Sequence, residues 1–288
     1  MSRRSNPGPG TVVRSRLRLA LTTALVLVVA PLSAAAPVAA ANELLPDLKM
    51  SQLYNIQIQK GGSERRKLRF GTIVWNVGDG PLEVRASGRD GLVMNDVVQW
   101  IHERGSGGSA HAPDGATAFY SRDGHDHWHI SSFIVIALYP SPDFAPIDAS
   151  VYHQRGLRKI GFCLTDVVRA PSALRPPASE ARLRYPVAGC GTLESQDIKV
   201  GISVGFGDDY KPFFNHQTID ITGLPAGVYR LCATVNSDSM WRERNEDHAN
   251  NSSWADVELG EGGRRMTVVG IGESDCDRPA PVTYGMGA

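Results

Sequence analysis

Three of the eight histidines in this 288-residue chain fall within five positions, as His125, His127 and His129 of the run Asp123-Gly124-His125-Asp126-His127-Trp128-His129. Neutral imidazole is the commonest nitrogen ligand for copper and zinc, so three of them at alternate positions read first as a metal site. The competing reading is a polar, half-exposed strand edge whose histidines hold nothing. A single histidine would favour that reading, but a triplet at this spacing does not. Ile130 to Tyr139 follows at once, rich in β-branched residues, and has the character of a strand buried on much of both faces. The histidines therefore stand at the entry of a strand. On a straight strand alternate residues share a face but advance ~6.6 Å per step, which sets the outer two α-carbons ~13 Å apart, too far for one ion to be held comfortably. A bend at the start of the segment solves this, and Gly124 is placed to allow one.

The elements that must position this cluster read as strands and loops. Leu53 to Gln59 alternates apolar with polar residues, as a half-buried strand does. Leu68 to Val77 is followed by Gly78-Asp79-Gly80-Pro81 and then Leu82-Glu83-Val84-Arg85, which predicts a hairpin. Arg104 to Gly115, rich in Gly and Ser, reads as a mobile loop leading to the histidines, either a gate for substrate or inert. Two further strands, Gln217 to Ile221 and Val228 to Val235, are joined by the turn Gly223-Leu224-Pro225-Ala226-Gly227. Strand and turn signals recurring without long helical patterns predict an all-β, β-sandwich-like single domain with long irregular loops.

At the N-terminus, Arg14, Arg16 and Arg18 precede an uncharged run from Leu19 to Ala30, and small residues then crowd Ala34 to Ala41. This is the pattern of a signal peptide over residues 1–41, which leaves 42–288 as the mature, secreted chain. The apolar run is short for a membrane span, so no stable membrane insertion is expected after cleavage. Removing 1–41 takes away five arginines and no carboxylate, leaving 25 basic against 30 acidic groups and a formal charge of −5. Such a balance gives no footing to a nucleic-acid or anionic-membrane partner. The four cysteines, Cys163, Cys190, Cys232 and Cys276, are even in number in an exported chain, which favours two disulfides over thiolate metal ligation. Three pairings are open. Proximity favours Cys163–Cys190 with Cys232–Cys276, closing loops worth ~3.5 and ~4 kcal/mol in the chain-entropy picture.

Several ordered motifs also resemble the catalytic domain of the lysyl oxidase family, from Leu45-Pro46-Asp47-Leu48 to Asn250-Asn251. Beside the His-x-His-x-His element stands Lys159-Ile160-Gly161-Phe162-Cys163-Leu164-Thr165-Asp166, similar to the family's Lys-x-x-Phe-Cys-Leu-x-Asp. Asp208-Asp209-Tyr210 and Gln217-Thr218-Ile219-Asp220-Ile221-Thr222 resemble its Asp-x-Tyr and Gln-x-Ile-Asp-Ile-Thr. The resemblance implies that His125, His127 and His129 bind copper, and that Lys159 and Tyr210 become the organic cofactor lysine tyrosylquinone. It implies a copper- and quinone-dependent oxidation of a primary amine, such as a lysine-containing protein, by O2 to an aldehyde, with release of H2O2 and ammonia. Asp166, Asp208 and Asp220 are the candidates for the general base.

In some members of the family calcium is held by an Asp-x-x-Asn-Asn element together with an N-terminal aspartate. Asp247, Asn250, Asn251 and Asp47 match those positions, and oxygen ligands suit that ion. A family glutamate two residues before Asp247 is Asn245 here, with Glu243 and Glu246 nearby as substitutes. The chain also departs from the animal members at Gly124, where they carry a cysteine, and at Arg158, where they carry a histidine. Two other classes stay in contention, a non-catalytic exported copper-binding protein and a three-histidine zinc hydrolase, although the chain has no His-Glu-x-x-His.

Overall fold

The computed structural model describes residues 42–62, 65–105, 107–122, 124–143, 155–175, 184–215, 217–245 and 248–276, with residues 155–160 described by their backbone alone. The expected signal peptide, Asp123 and Asp247 lie outside the described residues. The strands are β1 (Glu43–Leu44), β2 (Leu48–Met50), β3 (Tyr54–Lys60), β4 (Arg66–Asn76), β5 (Leu82–Asp90), β6 (Val93–Glu103), β7 (Gly108–His111), β8 (Ala118–Tyr120) and β9 (Trp128–Pro140). They continue as β10 (Arg155–Phe162), β11 (Val168–Arg169), β12 (Ile198–Ile202), β13 (Phe206–Tyr210), β14 (Thr218–Asp220), β15 (Gly227–Val235), β16 (Ser252–Leu259) and β17 (Met266–Gly272). The helical elements among the described residues are short 3-10 turns, and none is long and apolar enough to cross a membrane.

Among the described residues two antiparallel sheets form an all-β, sandwich-like domain. The larger runs β12-β5-β6-β8-β9-β15-β16-β17, with β1 and β7 paired to β6 and β10 paired to β9. In the smaller sheet β4 is the hub: β3 and β14 pair with its first half, β2 and β13 with its second. One core joins them, drawing Leu48, Phe70 and Val74 from the small sheet and Val84, Phe133, Ile136 and Leu231 from the large one. Each such side chain removed from water contributes ~1.5–3 kcal/mol. As the apolar run predicts, β9 is buried on both faces. Ile134, Ile136 and Leu138 enter the main core, while Ala137 and Tyr139 pack on the other side with Cys232, Cys276 and Trp254.

Two expectations change in the structure. The segment Gly78 to Pro81 does not close a hairpin, because β4 and β5 belong to different sheets and the turn carries the chain from one to the other. Its glycines are needed for close packing rather than pairing: a β-carbon on Gly80 would come within 2.0 Å of the Leu44 carbonyl oxygen. The second change lies in the Gly/Ser-rich stretch, which contains β7, paired with β6 from Gln99↔His111 to His102↔Gly108. Alternation of small and polar residues had hidden a strand that packs little of its own side-chain surface.

Glu83 on β5 gives the fold a measurable acid limit. Burial alone would raise its carboxyl, but hydrogen bonds from His102 (3.1 Å), Tyr185 (2.7 Å) and Arg85 (2.7 Å) outweigh that and lower it from 4.5 to about 2. Because the folded value lies below the unfolded one, the stabilisation is complete above pH 4.5 and is lost as the pH falls towards about 2. Glu83→Gln is expected to flatten the fall in melting temperature across that window; parallel melting curves for variant and wild type would contradict the assignment.

Candidate metal centre and aromatic site

The loop between β8 and β9 carries His125 and His127, and His129 is the second residue of β9. The bend that the spacing demands is present, and it takes two residues. Gly124 adopts φ +95° and Asp126, between the first two ligands, adopts φ +49°. Aspartate tolerates this left-handed conformation better than most side chains do. Its carbonyl accepts a hydrogen bond from the Tyr120 hydroxyl (2.7 Å), and the His127 carbonyl accepts one from the Ser121 N–H (2.9 Å), so the loop is tied at both points. The result is compact: one ring nitrogen from each histidine lies within 4.8 Å of the others, and the ring centroids are 4.9 to 5.5 Å apart.

Three converging imidazoles fit copper(II) or zinc by donor type. The Nδ1 atom of His125 supports this, being buried with no hydrogen-bond partner among the described residues. A buried imidazole nitrogen without a partner is costly, and a cation would remove that cost. His129 is the most enclosed of the three at 4 % exposed, fixed edge-on to Phe119, its register partner on β8. Trp128 anchors the strand entry through an indole N–H to the Thr192 carbonyl at 2.8 Å.

Tyr210, the last residue of β13, is brought to the same region. Its hydroxyl accepts the Cys163 N–H at 3.2 Å, and its ring meets Phe162 edge-on at 3.8 Å and Phe214 at 5.8 Å. Phe214 in turn stands 5.5 Å from His125. An aromatic chain therefore runs from the tyrosine to the histidine cluster. The sequence reading missed Phe214; the adjacent pair Phe213-Phe214 just after Tyr210 was the available signal. The backbone of Lys159 pairs with Val135 of β9, three residues before Phe162 and four before Cys163. The disulfides are Cys163–Cys190 and Cys232–Cys276, the pairing that proximity favours. The first lies beside the histidine cluster, with its sulfurs and a His127 ring nitrogen all within 4.8 Å of one another.

The three candidate bases have different environments. Asp166 accepts hydrogen bonds from the backbone of Arg184, Tyr185 and Ser203 and from the Ser203 hydroxyl, so its carboxylate braces the loops around β12. Asp220 is exposed and accepts the Thr222 N–H, an ordinary turn contact. Asp208 is buried on β13, two residues before Tyr210 and therefore on the same face. Burial pushes its carboxyl well above the usual range, against the opposing effect of a hydrogen bond from the Thr165 backbone, and its Oδ2 has no partner among the described residues. The opposite face of β13 is a separate environment. There Tyr54, Asn55, Ile73, Asp209, Lys211 and Phe213 line a cleft of about 770 Å³, and the Tyr54 hydroxyl donates to Asp209.

Of the expected calcium ligands, Asp47 and Asn250 do meet, the amide donating to the carboxylate at 2.8 Å. The other carboxylate oxygen of Asp47 is 2.6 Å from the Arg244 guanidinium. Oδ1 of Asn250 and Oδ1 of Asn251 are buried without hydrogen-bond partners among the described residues, which suits a cation, whereas Arg244 already neutralises Asp47. Glu243, a candidate substitute ligand, is wholly buried and accepts from the Leu48 N–H, Asn236, Asn251 and His248.

None of the curated proteins compared with this chain matches it. A family model described as lysyl oxidase matches residues 122–269, more than half of the 288 and spanning the histidines, Lys159, the Cys163–Cys190 disulfide and Tyr210. With an all-β fold that carries a three-histidine centre inside the matched segment, the chain belongs to the lysyl oxidase family.

Proposed function

We propose that the chain is a secreted copper-dependent amine oxidase that converts primary amines, peptidyl lysine foremost, to aldehydes with release of H2O2 and ammonia, through a lysine tyrosylquinone made from Lys159 and Tyr210. The observation that supports this most is the aromatic chain Tyr210–Phe214–His125, which links the expected quinone precursor to the expected copper ligands. Two disulfides fit an oxidising compartment, in line with a signal peptide at 1–41 and mature residues 42–288.

His125, His127 and His129 would hold the copper. Together the bound metal and the quinone supply an electron-poor carbonyl for the amine and a route for two electrons to O2. The protein's part is orientation and proton control. The Cys163 N–H fixes the Tyr210 oxygen, while Phe162 and Phe214 flank the ring and limit the water around it. Asp208, sharing that strand face and holding an unpartnered buried oxygen, is our choice for the group that takes and returns the substrate's proton. The formal charge of −5 on residues 42–288 favours approach of a cationic amine.

A visible spectrum recorded before and after phenylhydrazine tests the proposal. Copper-loaded protein should give a coloured adduct, since the reagent captures a quinone carbonyl. An unchanged spectrum with full copper occupancy would mark the chain as a non-catalytic copper-binding protein instead.

We further propose that calcium binds weakly at Asp47, Asp247, Asn250 and Asn251 because Arg244 occupies Asp47. Addition of calcium should raise the melting temperature of Arg244→Ala more than that of wild type, and the difference should vanish in Asp247→Ala. Equal shifts in all three proteins would remove the site.

A further inference from the structure

The sulfur atoms of Cys163 and Cys190 and one ring nitrogen of His127 lie within 4.8 Å of one another, and the two cysteine α-carbons are 5.7 Å apart. As a disulfide the sulfurs are poor ligands for a cation, since it is the thiolate that binds metal. We propose that reduction of Cys163–Cys190 creates a second metal site, His127–Cys163–Cys190, for a soft or borderline cation such as Zn2+ or Cu+, in competition with the three-histidine centre for His127.

The geometry and the chemistry both support it. A tetrahedral ion holds thiolate at ~2.3 Å and imidazole at ~2.0 Å, which sets ligand atoms roughly 3.5 Å apart. Opening the S–S bond moves the sulfurs apart in that direction, and the nitrogen needs to close by only a fraction of its present distance. Both cysteines are buried, at 4 % and 0 %, which shields a bound ion, while His127 is partly exposed and leaves an entry path. Cysteine thiolates with imidazole are a donor set that selects Zn2+ and Cu+, unlike the three-imidazole set. The redox step balances: the S–S bond breaks as two thiols supply two electrons and two protons and leave as their disulfide, or as a phosphine supplies two electrons and one water supplies two protons and the oxygen of the phosphine oxide. The thiol protons are then released as the cation binds.

A consequence concerns the order of assembly. While the cysteines are reduced, a cation bound to them holds His127, and the three-histidine centre is completed only after the disulfide has formed. Copper loading is thereby tied to the compartment in which thiols are oxidised. The inference needs His127 but neither the quinone nor an amine substrate, so it can fail while the oxidase proposal stands.

Cd2+ is the probe, because thiolate–cadmium bonds give a strong ultraviolet charge-transfer band. Phosphine-reduced wild type freed of excess reductant should bind one equivalent with that band, and the oxidised protein should not show it. His127→Ala should weaken binding by at least about tenfold, the loss that even an indirect support of a metal ligand costs. The Cys232→Ser/Cys276→Ser pair should leave it unchanged, and cadmium NMR of the reduced wild type should report two sulfur ligands. No band after reduction, or a band insensitive to His127→Ala, would overturn the proposal. Unfolding on reduction would also overturn it, and is recognisable because all four thiols would then bind cadmium irrespective of His127.

Discussion

Tyr210→Phe is expected to bind copper as wild type does and yet to form no quinone, no covalent link to Lys159 and no H2O2 from a lysine-containing peptide. The variant loses a single oxygen, the acceptor of the 3.2 Å hydrogen bond from Cys163, and keeps the ring that packs on Phe162 and Phe214. The Cys163 N–H is left without that partner, a destabilisation of ~1–3 kcal/mol that leaves the two-sheet core standing. In wild type, aerobic copper loading should join the peptides carrying Lys159 and Tyr210 through a bond that survives disulfide reduction, which separates it from Cys163–Cys190. Anaerobic loading should leave them separate. Lys159→Ala should repeat the phenotype: metal retained, link and turnover lost. Loss of chemistry with metal retained assigns the pair to the cofactor rather than to the fold. Unlinked, unmodified peptides from copper-loaded wild type after prolonged aerobic incubation would end the oxidase proposal.

Much of this site is visible in the chain because its parts are local. Three histidines in five residues carry their chemistry wherever the segment folds, and the need for a bend follows from the strand rise alone. The sequence pointed to Gly124 for that bend. Asp126 was not foreseen, since aspartate's tolerance of φ +49° permits that conformation without requiring it, and the Tyr120 hydroxyl on its carbonyl is a contact that local sequence does not show. Long-range partners were equally hidden. Nothing local distinguishes Asp208 from Asp166, yet one has a buried oxygen without a partner and the other accepts four hydrogen bonds, because different loops close over them.

The same limit explains the turn at Gly78. Gly-Asp-Gly-Pro between two apolar runs is chemistry for reversing direction, but whether the second run joins the same sheet depends on which strands compete for its edge. Here β2 and β13 already flank the second half of β4, so β5 pairs instead with β6 and β12. The disulfide pairing was legible by proximity, whereas the position of Cys163–Cys190 against His127 was not, since it is set by the pairing of β10 with β9, which puts Phe162 opposite Ile130.

His127→Ala should lose stoichiometric copper while melting close to wild type. The central histidine belongs to a loop, is partly exposed and lies outside both apolar clusters, so its removal opens no core cavity. A change at such a position typically alters stability by about 0.5 kcal/mol or less. Metal binding should respond very differently. The three ring nitrogens lie within 4.8 Å of one another because Gly124 and Asp126 fold the loop, and deleting the middle ring leaves two donors. His125, whose Nδ1 is already buried without a hydrogen-bond partner among the described residues, then loses the shared ion that would satisfy it. Elemental analysis after dialysis should find close to one copper per chain in wild type and little in the variant, with His129→Ala also depleted and less stable because that ring is packed against Phe119. Equal copper in His127→Ala and wild type would place the ion elsewhere. Loss of copper together with a collapsed melting temperature would instead make the loop part of the fold's support, with site and scaffold inseparable.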